Sequence, residues 1–287
     1  MPPTSPVVAA WELGIRLREA RAESGLKGIA AARELGLSQN FLSDVEHGKR
    51  RLSNEKLLAA IELYSVPEQD REDLLGLRDA CEQRGWWSAH SALYGPELQR
   101  YYGFEWAAQE IRAHESLLIP GLLQTEAYAY ALMTNDRPNL RTSEADARVR
   151  NRMLRQRRLT DDDPVRFTAV ISEAVLMQQV GGPEVLGEQL RHVLDLIEDR
   201  PETIRVHVVP FTAGAFGALG QGTINLLDFP SPRVPMMAWF ENLTSVGLLD
   251  NPARVREYDA SFDELMGEVL SRDESADRIH RAIEELA

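Results

Sequence analysis

Four polar side chains, Gln39, Asn40, Ser43 and Asp44, open one short amphipathic stretch and are of types that can read the edges of nucleobases. The amides of Gln39 and Asn40 match adenine N6 and N7, Asp44 can accept from cytosine N4, and a hydroxyl such as that of Ser43 suits either role. Groups suited to a phosphate backbone flank them: Lys27 and Ser38 before, and Lys49, Arg50 and Arg51 in the basic loop 47–53 after. Phosphate contacts fix register without reading sequence.

Two further constellations stand out. Six arginines, at 148, 150, 152, 155, 157 and 158, crowd eleven residues without one acid, and Arg148, Arg152 and Arg155 fall on one helical face. That face is a solvated surface paired with acids, a dock for an acidic partner, or a second phosphate contact. Between Gly85 and Trp106 the chain is dense in aromatics. They form interdomain core, or else Trp86, Trp87, Tyr101, Tyr102 and Trp106 line a ligand pocket or a dimer seam.

Residues for catalysis or metal binding are not arranged for it. The six histidines, at 47, 90, 114, 192, 207 and 280, show no ligand spacing, and no serine sits in a G-x-S-x-G elbow. Glu173 follows a strand without a second acid placed near it. The glycine-rich loop 214–222 joins two strands rather than leading into a helix, so it reads as a strand connection and not a phosphate cradle. No metal, no cofactor and no enzymatic activity are expected. Cys81 is the only cysteine, which excludes an internal disulfide and reads as a small buried helix residue.

The elements that must position the reading residues are written in local chemistry. A helix from about Gly28 to Leu35 ends at Gly36, and Ser38 caps a second helix, Gln39 to Glu46. Apolar positions at Ala31, Leu35, Leu37, Leu42 and Val45, with the small Ala32, suit a helix-turn-helix better than a bundle hairpin. Further helices are expected at Trp11–Ser24, Asn54–Tyr64 and Pro67–Gln83. The divisions are a flexible arm at 1–10, a helix-turn-helix domain at 11–84, an aromatic junction at 85–106 with a helical piece at Glu97–Tyr102, and a second domain at 107–287. In that domain helices are expected from Pro120–Gly121 to about Met133, and at Ser143–Thr160, Pro183–Ile197, Pro252–Leu270 and Arg272–Leu286. Strands are expected at Val165–Ile171, Ile204–Val209, Thr223–Phe229, Met236–Phe240 and Ser245–Leu249. Short loops between the last four predict an antiparallel sheet. The fold class is mainly α with an α+β second domain.

The net charge is −13, against nonspecific nucleic-acid binding by the whole surface. It is uneven: residues 11–65 carry nine basic against eight acidic residues, and residues 96–287 carry 20 against 31. The start, MPPTSPVVAA, lacks the charge and apolar core of a secretion signal, and no run approaches the roughly 18 apolar residues of a membrane span. A cytoplasmic protein is expected, with no membrane partner.

Three stretches, LGIRLREARAESGL (Leu13–Leu26), GLSQNFLSDVEHGKRRLS (Gly36–Ser53) and KLLAAIELYSV (Lys56–Val66), resemble the XRE, or lambda-repressor-like, helix-turn-helix family. The resemblance implies a five-helix DNA-binding domain with Gln39–Glu46 as recognition helix, and an ion pair between Arg18 and Glu46. The chain departs from the family at Gly28 and Asp44. From Phe104 onward, EIRAHESLLIPGLLQTEAYAYALM (Glu110–Met133), ISEAVLMQQVGGPEVLGEQLRHVLDL (Ile171–Leu196) and VHVVPFTAGAFGALGQGTINLLDF (Val206–Phe229) resemble the domain that accompanies such heads in actinobacterial, antitoxin-like regulators. These are often encoded beside a small partner protein. The expected function is a homodimeric, sequence-specific regulator of double-stranded DNA. The alternatives are a module binding a small partner protein and a sensor of an unidentified small molecule.

Overall fold

The computed structural model describes residues 2–136, 142–215, 217, 222–242 and 246–286. The N-terminal head is built from α1 (Pro6–Glu23), α2 (Gly28–Glu34), α3 (Gln39–Glu46), α4 (Asn54–Leu63) and α5 (Glu68–Glu82). Its helix starts follow the capping chemistry: the hydroxyls of Ser38 and Ser53 accept from the N–H groups of Phe41 and Lys56, 3.2 Å each. Gly36 takes φ +64°, a conformation that carries the chain from α2 into α3 at little cost only for glycine. The first helix begins at Pro6 rather than at Trp11, so half of the stretch expected as an arm is helical. Ser5 caps it, Pro6 occupies its first turn, and Ala9 and Ala10 are buried.

Burial of α1 on two sides explains that extension. Leu13 and Leu17 enter the head core with Leu42, Val45 and Leu57, while Trp11 and Ile15 belong to the core of the second domain. A turn of 3-10 helix at Trp86–Leu93 leads to α6 (Pro96–Ala107), longer than the expected piece at Glu97–Tyr102. Gly103 inside this helix permits close approach: a Cβ there would run into the side chain of Val7. Trp11 packs edge-on to Phe104 of α6 with ring centroids 6.2 Å apart.

The second domain continues with β1 (Glu110–Glu115), α7 (Glu126–Asp136), α8 (Thr142–Gln156), β2 (Arg166–Ser172), α9 (Pro183–Asp199), β3 (Ile204–Val209), β4 (Thr223–Asp228), β5 (Met237–Glu241), β6 (Val246–Leu249), α10 (Pro252–Leu265) and α11 (Arg272–Glu285). The six strands form one sheet in the order β3-β2-β1-β4-β5-β6. The α+β organisation is as expected, but the sheet is mixed rather than antiparallel: β1, β2 and β3 run parallel, and β4, β5 and β6 antiparallel. The unforeseen strand is β1, which with β2 separates β3 from β4 in space although they are consecutive in sequence. Its Glu-Ile-Arg-Ala-His-Glu composition does not read as a central strand. Part of the glycine-rich loop 214–222 and residue 245 lie outside the described residues.

On one face of the sheet Ile111, Ala113, Phe167 and Ala169 join a core shared with α6, α9 and α11. On the other, Val170, Leu226 and Ala238 pack on Val255, Phe262 and Leu265 of α10. No helix among the described residues is long and apolar enough to cross a membrane.

Candidate nucleic-acid interface

In α3 the apolar and polar positions separate cleanly. Leu42 and Val45 are 2% exposed, whereas Gln39, Asn40 and Ser43 are exposed. The first turn carries no acid, so no carboxylate within it offsets the positive end of the helix dipole. Lys27, Ser38, Lys49, Arg50 and Arg51, before and after this helix in the chain, are all exposed.

Glu46 is structural, as expected, but its partner differs. Arg21, not the exposed Arg18, forks onto the carboxylate, with Nη2 donating to Oε2 at 2.8 Å, and its Nη1 donates to the carbonyl of Leu26. The phase of α1 decides this: Arg21 lies on the side that meets α3. Asp44 is half-buried and paired with Arg50 at 3.2 Å, and Arg50 also lies over the ring of Phe41 at 5.5 Å. The carboxylate that departs from the family pattern is thus neutralised locally by a group expected to meet phosphate. Lys56 donates from Nζ to the carbonyl of Leu35 at 2.8 Å and closes the end of α2.

Part of the aromatic constellation and part of the arginine one meet in one place. A partly open cavity of about 260 Å³ lies between the sheet and the α6–α8 layer, lined by Tyr101 and Tyr102 together with Arg148, Arg152 and Arg155. This corrects the dock reading: these guanidiniums point inward, not to a partner's surface. Arg155 is bound bidentately by Glu105 of α6, at 2.7 and 2.6 Å. Burial works against its charge, and the Glu105 carboxylate outweighs that effect. Glu105 also accepts from the Tyr101 hydroxyl at 2.8 Å, which in turn accepts from Asn225 at 3.0 Å. Arg148 donates to the carbonyl of Leu93 and lies over Tyr94. Arg158 is fully buried and serves the backbone, donating to the carbonyls of Asp163 and Ala108. Of the other junction residues, Trp87 is core, while Trp86 stacks on Tyr102 and meets the edge of Trp106; none of the three lines the cavity.

The floor of the cavity went unforeseen because it is made of strands. Glu115, Thr223, Asn225, Trp239 and Glu241 share one sheet face in register, with Thr223 opposite Glu241 and Asn225 opposite Trp239. Burial pushes the Glu115 carboxyl up to about 8, despite a 2.9 Å hydrogen bond from Thr223. Alternation in EIRAHE was the signal that could have marked β1. Cys81 is buried in α5, its thiol pushed up to about 11 by burial, which makes it a packing residue. Among the described residues no cluster of His, Cys, Asp and Glu could hold a metal ion.

Residues 12–74 match the model of a helix-turn-helix domain, which makes the head a DNA-binding module of a regulator. No curated protein matches the chain. Residues 98–281, well over half of the chain, match the model described as a domain of unknown function (DUF5753), and the chain therefore belongs to that family.

Proposed function

We propose that the chain is a sequence-specific transcriptional regulator, not an enzyme, that binds double-stranded DNA as a homodimer of the XRE, antitoxin-like type. One observation carries the reading: Gln39, Asn40 and Ser43 are exposed on a helix whose opposite face, Leu42 and Val45, is sealed in the head. Each α3 reads one half-site, and the half-sites lie about 34 Å apart, one turn of DNA. Gln39 and Asn40 contact base edges from the helix start. Lys27, Ser38, Lys49 and Arg51 hold phosphates, and Arg50 does so while screening Asp44. The acidic body behind a near-neutral head orients the molecule head first on a polyanion.

Selection from a random duplex library, followed by a gel-shift salt titration on the consensus and a scrambled duplex, tests the proposal. A two-fold symmetric consensus bound with marked preference is expected. Equal affinity for both duplexes would overturn it. The reading centred on a small partner protein is weaker, since the α8 arginines suggested as its dock face the cavity.

A further inference from the structure

The cavity between α8 and the sheet has no part in reading DNA, yet it holds a charge arrangement that needs explaining. Of its three arginines, Arg155 is neutralised by Glu105, and Arg148 is spent on a backbone carbonyl and the face of Tyr94. Arg152 donates to the neutral Gln124 side chain; its Nε, like that of Arg148, is buried without a hydrogen-bond partner, and it makes no ion pair among the described residues. Arg155, itself a cation, stands close enough to oppose its charge further. The Glu241 carboxylate, which lines the same cavity, favours the charge from a distance without forming an ion pair, so a largely desolvated guanidinium with an idle donor still gains from an anion that reaches it.

The surroundings restrict what that anion can be. Tyr101 is stacked on Trp239, centroids 4.6 Å apart and planes 25° from parallel, and both rings line the cavity that Arg152 lines. Tyr102 supplies a second ring from α6. Glu115 holds its proton at neutral pH because it is buried, so it does not compete for Arg152 and can itself donate. The volume of about 260 Å³ falls just under the ~300–1,000 Å³ of sites for drug-sized ligands, which suits a single ring or a fused pair. A cation would have to enter among three guanidiniums.

We propose that this cavity binds a compact organic anion carrying a flat ring, its acidic group held by Arg152 and its ring set against Tyr101, Tyr102 and Trp239. The anion is a carboxylate or a phosphate monoester; a guanidinium fork accepts either. The proposal makes the regulator ligand-responsive but does not depend on DNA binding. Its site adjoins α6, which packs on α1 of the head through Gly103 and Phe104.

Isothermal titration and thermal unfolding of the full chain without DNA test it, using benzoate, indole-3-carboxylate and phenyl phosphate, with benzamide, benzylamine and acetate as controls at equal ionic strength. At least one ring-bearing anion should bind saturably, one per chain, and at about ten times its Kd raise the midpoint by roughly 3–6 °C. Arg152→Gln should weaken it at least tenfold. Arg152→Lys, which keeps the charge for folding, should weaken it severalfold by losing the fork. Carboxylate and phosphate arms separate the two kinds of anion. Absence of binding by all three anions, equal binding of benzamide or benzylamine, or unchanged affinity in a folded Arg152 variant would each overturn the proposal. A gel-shift failure would count against the DNA reading alone.

Discussion

The head and the body of this molecule put their polar chemistry in opposite places. In the head, the side chains suited to recognition stand outside on α3 and the basic loop, and the one buried carboxylate, Glu46, is tied to Arg21. In the body the strongest polar groups are inside: Glu105, Glu115, Gln124, Asn151 and Arg155 are all buried around or beside one cavity. The difference teaches what each region is built to meet. A duplex is a large, solvated polyanion and is approached by exposed groups that cost little to hold. A small ligand must be stripped of water, and the groups that receive it have to be desolvated and fixed in advance.

That contrast can be broken by mutation, since body substitutions should act on stability and head substitutions on DNA alone. The largest effect is expected for Glu105→Ala, which strands the buried Arg155 guanidinium. Removing one partner of a buried pair costs roughly 3–5 kcal/mol, read by urea unfolding; a loss under about 1 kcal/mol would show that the cavity wall is wetter than its burial indicates. Next comes the pH dependence of stability. The Glu115 carboxyl, with Thr223, Glu241, Arg152 and Tyr128 around it, is raised from 4.5 to about 8. Its contribution is therefore full below pH 4.5 and is lost as pH rises through 8. At about 1.4 kcal/mol per pKa unit this amounts to a few kcal/mol at most. Glu115→Gln should flatten that part of the profile between pH 5 and 8, and an identical slope in the variant would contradict the assignment.

Smaller effects belong to the head. Gln39→Ala should cost ~1–3 kcal/mol of discrimination at one base step with the unfolding midpoint unmoved, as measured by competition gel shifts with single-base operator variants. Arg50→Ala should weaken all duplexes alike and lower the salt slope by about one. Its pair with Asp44 is exposed, so its loss should change stability by under ~1 kcal/mol. Asp44→Asn sharpens the comparison further: it frees Arg50 and should tighten binding to scrambled DNA.

Much of the head was legible before any coordinates. Residue types at Gly36 and Ser38 place the turn and the start of α3, and the apolar spacing of Leu42 and Val45 places its outward face. The Glu46 partner was legible only as to role, because Arg18 and Arg21 differ by the rotational phase of α1, which packing sets. In the body, helices such as Pro183–Asp199 were readable from periodicity and strands such as Ile204–Val209 from β-branched runs. The central strand was not. Its Arg112, His114 and Glu115 contradict the apolar pattern of a strand with neighbours on both sides, and that contradiction arises where polar groups serve the cavity and the contact to α10.

The chain's own order of residues determined where helices begin and end, which face of α3 is polar, and that the body mixes helices with strands. These are matters of φ preference and of hydrogen bonds between residues two to five apart. Only the tertiary structure decided that β1 enters the middle of the sheet, that α1 serves two cores, and that part of the junction aromatics and part of the α8 arginines line one cavity. The contacts that build it, Arg155 with Glu105, Thr223 with Glu115 and Asn225 with Tyr101, join residues 50, 108 and 124 positions apart. At such separations the pairing is chosen by chain topology and by competition for burial, neither of which leaves a local mark on the residues involved.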